Sequence, residues 1–147
     1  MNSPALLSFE NIRVSRGGKR VLELDRLDIQ KGGNLVVIGP NGAGKSTLLL
    51  VAAGLLKPET GRLLRNDQDV YSGNLLAYRR KTALVLQDPL LLDMTVFDNV
   101  AAGLRFRGVE KKVIAQKVNP WLERLDIAHL ANRRARAISG GEAQRAS

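Results

Sequence analysis

The chain predicts an α/β fold: a three-layer core around a mostly parallel sheet, with an antiparallel strand pair at the N-terminus and a helical subdomain near the end. Three observations carry that expectation. Apolar and polar residues alternate in two early runs, a glycine-rich loop stands between a strand-like and a helix-like apolar run, and beyond Thr95 the apolar residues recur at helical spacing.

Each element follows from its own pattern. Leu6 to Val14 and Arg20 to Ile29 read as the two strands of a hairpin, turned at Arg16-Gly17-Gly18-Lys19. Lys31-Gly32-Gly33 then punctuates the entry to Asn34-Leu35-Val36-Val37-Ile38, a short buried strand. Downstream of the glycine loop, Ser46 to Leu56 reads as a helix too apolar to lie on the surface. Lys57-Pro58-Glu59-Thr60-Gly61 forms a turn, Arg62 to Arg65 begins another short strand, and Leu75 to Lys81 makes a helical turn leading to a strand over Thr82 to Leu86. In the helical part, Val96, Val100 and Leu104 share one face, with Phe97 beside them. Asn119-Pro120 is expected to open a new helix as cap and first-turn residue, with Trp121, Leu122 and Leu125 on its apolar side and Trp121 in the core. The single histidine, His129, reads as a surface helix residue.

The glycine loop carries the chemistry. Gly39-Pro40-Asn41-Gly42-Ala43-Gly44-Lys45-Ser46-Thr47 fits the phosphate-binding pattern G-x-x-x-x-G-K-[ST], in the strand-to-helix context that the pattern requires. Glycines let the backbone curl so that its N–H groups surround an anion, and the first turn of the following helix adds its positive dipole end. Lys45 can then reach the outer phosphates of a nucleoside triphosphate, and the Ser46 hydroxyl can ligate the magnesium that bridges them. The other reading, a glycine-rich turn with an incidental lysine, lacks the flanking strand and helix as a reason.

Composition bounds the remaining classes. At 147 residues and 44% hydrophobic content, the chain can build one core. Having no cysteine, it forms no disulfide and no zinc–thiolate site. Its first ten residues lack the basic start and long apolar stretch of a secretory signal, and the longest apolar run, Leu48 to Leu56, is well short of the about 20 residues of a membrane span. The net charge of +9 admits nucleic acid, an anionic membrane surface or bound phosphates as partners. Arg133-Arg134-Ala135-Arg136 is the densest basic stretch; without interleaved aromatics it reads as a solvated face, so a nucleic-acid partner is not expected.

A second motif narrows the family. Ile138-Ser139-Gly140-Gly141-Glu142, followed by Ala143-Gln144-Arg145, closely resembles the L-S-G-G-Q signature of ATP-binding cassette (ABC) proteins. By its residues alone, Ser-Gly-Gly reads equally as an ordinary serine-capped helix start. Between the two motifs stands Gln87, at the end of Thr82–Leu86; a lone glutamine there reads as a solvated surface residue, but the resemblance implies contact with magnesium and its water, on a loop that faces the membrane subunit. The tract from Leu90 to Val100 is similar to the family's segment after that glutamine. Arg16 stands where the family usually carries an adenine-stacking aromatic; its planar guanidinium can stack on a base, and an exposed arginine in a hairpin turn is the equally open reading.

The resemblance implies a nucleotide-binding domain with a phosphate-loop core and a helical subdomain at about 88–140. In the family, the signature helix leads to an apolar strand ending in Asp-Glu and then to a switch histidine; residues 1–147 stop before both, as the N-terminal part of a single such domain, with its core expected to be partly uncovered. The family pairs two cassettes head to tail, each ATP lying between one phosphate loop and the other protomer's signature residues Ser139, Gly140, Gly141 and Glu142. Lys45 and Gln87 are then catalytic, Ser46 and Gln87 hold Mg2+, and Gly39 to Thr47 bind ATP. The expected function is the energy-coupling ATP-binding subunit of an ABC importer, cytoplasmic and peripheral on the inner face of the membrane. Its partners are a transmembrane permease, a second copy of the cassette and, indirectly, a solute-binding protein. Gln87 to Gly108 and Gly141 to Arg145 resemble importers of tungstate or molybdate. The alternatives are a soluble cassette protein acting on ribosomes or DNA, for whose usual linker or insertion the 51 residues between Gln87 and Ser139 leave no room, and a non-catalytic ATP-binding fragment.

Overall fold

The computed structural model describes residues 5–147, and the chain divides into two units, one reaching to Leu84 and the other running from Val85 to Ser147. Met1 to Pro4, the start of the segment read as lacking a secretory signal, lie outside the described residues.

In the first unit, β1 (Ala5–Arg16) and β2 (Lys19–Gln30) form the expected hairpin, joined through Gly17-Gly18. Strand β3 (Thr60–Arg65) pairs antiparallel with β1, and the two-residue β4 (Gln68–Asp69) closes the sheet in the order β2-β1-β3-β4. Asn11, in the left-handed conformation that asparagine tolerates, coincides with a register shift of β1 against β3 and changes the strand's phase. Phe9 therefore points inward before it, and Ile12 and Val14 after it. With Leu63, Val51, Val70 and Tyr78 they make the core of this unit.

The mostly parallel sheet expected from the sequence is not found among the described residues: every strand pairing is antiparallel. Asn34 to Ile38 and Thr82 to Leu86, the two segments read as its strands, carry no strand pairing. Their side chains show the consequence, with Val36 80% and Ile38 87% exposed where burial was expected. A parallel strand is held by neighbours on its edges and by layers on both faces, and its own residues supply neither. Helix α1 (Lys45–Ala52) is likewise shorter than expected and less buried, since only Val51 is fully inside and Leu49 is exposed. Helix α2 (Leu75–Arg79), capped by the Asn74 side chain, completes the unit.

Helices make up the second unit. Thr95 caps α3 (Val96–Arg105) by accepting a hydrogen bond from the Asp98 N–H at 3.1 Å. Then α4 runs unbroken from Lys111 to Arg124 with Pro120 inside it, correcting the expected start at Asn119-Pro120. An interior proline costs about 3 kcal/mol. Ile114, Val118 and Leu122, four apart on one face, all enter the core and offset that cost. Trp121, one position off that row, is 54% exposed rather than buried; it borders an apolar groove with Val100, Leu104 and Pro120, and Arg124 lies over its ring at 5.4 Å. Two short 3-10 turns, Ala128–Leu130 and Ala135–Ala137, lead to α5 (Gly140–Ala146). His129 lies exposed on the first of them. Among the described residues, no helix is long and apolar enough to cross a membrane.

Candidate functional site

The phosphate loop folds as its residues dictate. Gly42 and Gly44 both have positive φ, 84° and 85°, and a Cβ on Gly44 would fall inside the Val21 carbonyl oxygen of β2. Only glycine therefore joins this loop to α1. Gly44 precedes the helix, so the N–H groups of Lys45, Ser46 and Thr47 fall in its first turn, where no intrahelical carbonyl takes them. Lys45 arches back over the loop, its Nζ donating to the carbonyls of Gly39 at 2.8 Å and Pro40 at 2.7 Å. Ser46 is exposed at the start of α1, and Asn41 and Ala43 line the turn, with the Ala43 N–H donating to Pro40 at 3.3 Å. A ring of backbone donors without side-chain cover, spanned by an ammonium, fits a phosphate group. Arg16 is exposed at the end of β1, register-paired with Lys19.

In the other unit, Ser139 is the N-cap of α5 and shares a capping box with Glu142. The Glu142 carboxylate accepts from the Ser139 N–H at 2.7 Å and the Ser139 hydroxyl at 2.8 Å, which holds its carboxyl below the usual carboxylate range, the backbone bond contributing most. Gly140 and Gly141 are exposed, with open space where a Cβ would stand. The motif is thus a serine-capped helix start whose first two residues carry no side chain. Gln87 lies in an exposed bend with Asp88.

Sequence reasoning passed over one link. The Gln144 side chain donates from Nε2 to the Leu86 carbonyl at 3.0 Å, tying the signature helix to the residue before Gln87. Its only signal was the Gln-Arg wording after the signature. The basic stretch is also partly neutralised, since Asp93 pairs with Arg134 at 3.5 Å and Arg136 at 3.6 Å. No cluster of three or more His, Cys, Asp or Glu that could hold a metal occurs among the described residues.

Loop, cap and helical unit together are those of a phosphate-loop nucleotide-binding protein. Residues 22–147 match the profile of the ABC transporter family, and the chain belongs to that family. It is 39% identical over 141 residues, 95% of its length, to the molybdate/tungstate import ATP-binding protein WtpC of Pyrococcus horikoshii, and 36% identical over 146 residues to the spermidine/putrescine import ATP-binding protein PotA of Hahella chejuensis. Both matches span 40% of the relative, so the chain corresponds to less than half the length of these curated proteins. Among solved structures it is similar to CbiO1 of Clostridium perfringens, part of the ABC transporter complex CbiONQ, with a TM-score of 0.79 and 27% identity, covering 98% of this chain and 59% of that one. A bacterial Atm1-family ABC exporter with ATP bound aligns with a TM-score of 0.81 at 25% identity, covering 99% of this chain and 27% of the exporter. These likenesses bear out the phosphate-loop fold and the family.

Proposed function

We propose that this chain is the nucleotide-binding part of an ATP-binding subunit of an ABC importer, in which ATP binding and hydrolysis drive solute uptake through a membrane permease. The loop geometry carries the reading: Gly42 and Gly44 leave backbone N–H groups uncovered, and Lys45 lies across them with its charge at the loop's rim. In ATP binding, Lys45 exchanges its two carbonyl partners for the outer phosphates, and the first turn of α1 adds its N–H groups. Magnesium, when bound, would supply positive charge against that which develops on the outer phosphates. Ser46 would offer it a hydroxyl and Gln87 an amide oxygen. Arg16 would meet the base through the plane of its guanidinium.

Residues 1–147 would serve as one domain, about 88–140 being its helical subdomain, with Ser139, Gly140, Gly141 and Glu142 presented to the ATP of a second copy. A solute-binding protein acts indirectly, and the subunit works at the inner face of the membrane. The likeness to WtpC supports an oxyanion of the tungstate or molybdate type as solute.

The test is magnesium-dependent ATP binding by the purified chain, beside Lys45→Ala. Binding that weakens on the order of tenfold or more in the variant is expected, since a charge-assisted contact is lost. Equal binding by both overturns the assignment of the phosphate loop.

A further inference from the structure

Helix α1 buries only Val51 outright, with Leu48 and Ala52 packed partly against the same core, and apolar packing is not all that holds it. Its ends are held in other ways. At the start, Gly44 closes on the Val21 carbonyl. At the far end, Tyr71 from the turn after β4 and Tyr78 and Arg79 of α2 reach the carbonyl of Ala52, the helix's last residue, and those of Gly54 and Leu56 just beyond it. The Tyr78 hydroxyl donates to Ala52, Arg79 Nε donates to Gly54 at 2.9 Å, and the Tyr71 hydroxyl donates to Leu56 at 2.7 Å. Gly54, at a φ of 68°, lets the chain turn there, and a Cβ in its place would press on Leu75 and Tyr78 at 3.1 Å. Burial pushes the Tyr71 hydroxyl up to about 12 and raises that of Tyr78, so both remain donors at neutral pH. The guanidinium adds positive charge at a helix C-terminus, where the dipole favours it.

We propose that Tyr78 and Arg79 are positioning residues for nucleotide binding, fixing the far end of α1 and thereby the direction in which Gly44, Lys45 and Ser46 meet a phosphate. The inference rests on the phosphate-loop reading above and adds what orients that site. Tyr78 and Arg79 thus fasten α2 to the same helix that carries the loop. An eight-residue helix is about 12 Å long, and a tilt of about 5° moves its opposite end by roughly 1 Å. Displacements of that size take preorganised groups out of productive geometry.

The experiment titrates a fluorescent ATP analogue with magnesium into the chain and into Tyr78→Phe, Arg79→Gln and Arg79→Lys, with a urea unfolding curve for each. Tyr78→Phe and Arg79→Gln should each weaken binding roughly three- to tenfold, the share of one hydrogen bond. Arg79→Lys, still able to donate to Gly54, should stay within about twofold. Lowered unfolding midpoints with unchanged affinity in both variants would make the contacts merely structural and overturn the inference. Because Tyr78 is buried, exposed Arg79 carries the test should Tyr78→Phe not fold. Failure of the unaltered chain to bind overturns the phosphate-loop reading itself and this inference with it.

Discussion

In the helical unit, the signature residues sit on a capped helix whose unit closes its own core, whereas in the phosphate-loop unit Lys45 follows a segment whose apolar side chains face solvent. Val96, Ala101, Ile114, Val118, Leu122, Ile127 and Leu130 are buried together in the former. Just ahead of the loop in the latter, Leu35, Val36, Val37 and Ile38 are exposed. Helices satisfy their backbone within one stretch of chain, while a strand depends on a neighbour that the same stretch does not contain. The units thus differ not in apolar content but in where each segment's hydrogen-bonding partners lie.

The contrast is broken most sharply by truncating the closed core. Leu122→Ala should destabilise the helical unit by about 2–5 kcal/mol, read as a lowered urea midpoint, whereas Ile38→Ala should stay within about 0.5 kcal/mol of the parent. Equal losses at the two positions would show that the loop strand is packed in solution. Next in size is Gly44→Ala. Its Cβ clashes with the Val21 carbonyl at a positive φ, so nucleotide binding should fall at least tenfold with the helical unit's stability unchanged. Isothermal titration with ATP and magnesium checks it.

A smaller effect is expected at the α3 cap. Thr95→Ala leaves the Asp98 N–H without its acceptor and should cost about 1 kcal/mol. Thermal unfolding followed by circular dichroism measures that loss. The smallest is a pH dependence. Ser139 lowers Glu142 and Thr95 lowers Asp98 below their ordinary values, so both groups contribute stability that is present above the unfolded-state carboxylate range and lost as pH falls through the folded-state values. Glu142→Gln should flatten part of that acid limb; an unchanged limb would remove Glu142 from the capping box.

Local signals were legible. The hairpin, the phosphate-loop wording, the helical spacing of Val96, Val100 and Leu104, and the serine before two glycines could all be read because each needs only residues close in sequence. Pro120 misled because its local preference for a helix start is weaker than the burial of Ile114, Val118 and Leu122 across it. Trp121 followed the same error, since moving the helix start changed which residues face the core.

By itself, the sequence determined which residues stand in the proposed phosphate sites: the glycines that free the backbone, the lysine that spans them, and the cap that opens α5. Only the tertiary structure decided how those residues are held, through Val21 against Gly44, Tyr78 and Arg79 at the far end of α1, and Gln144 on the carbonyl of Leu86. The physical reason is range. Backbone conformation and capping act over three or four residues, whereas these contacts join positions 23 to 58 apart, a distance over which only the folded chain brings partners together.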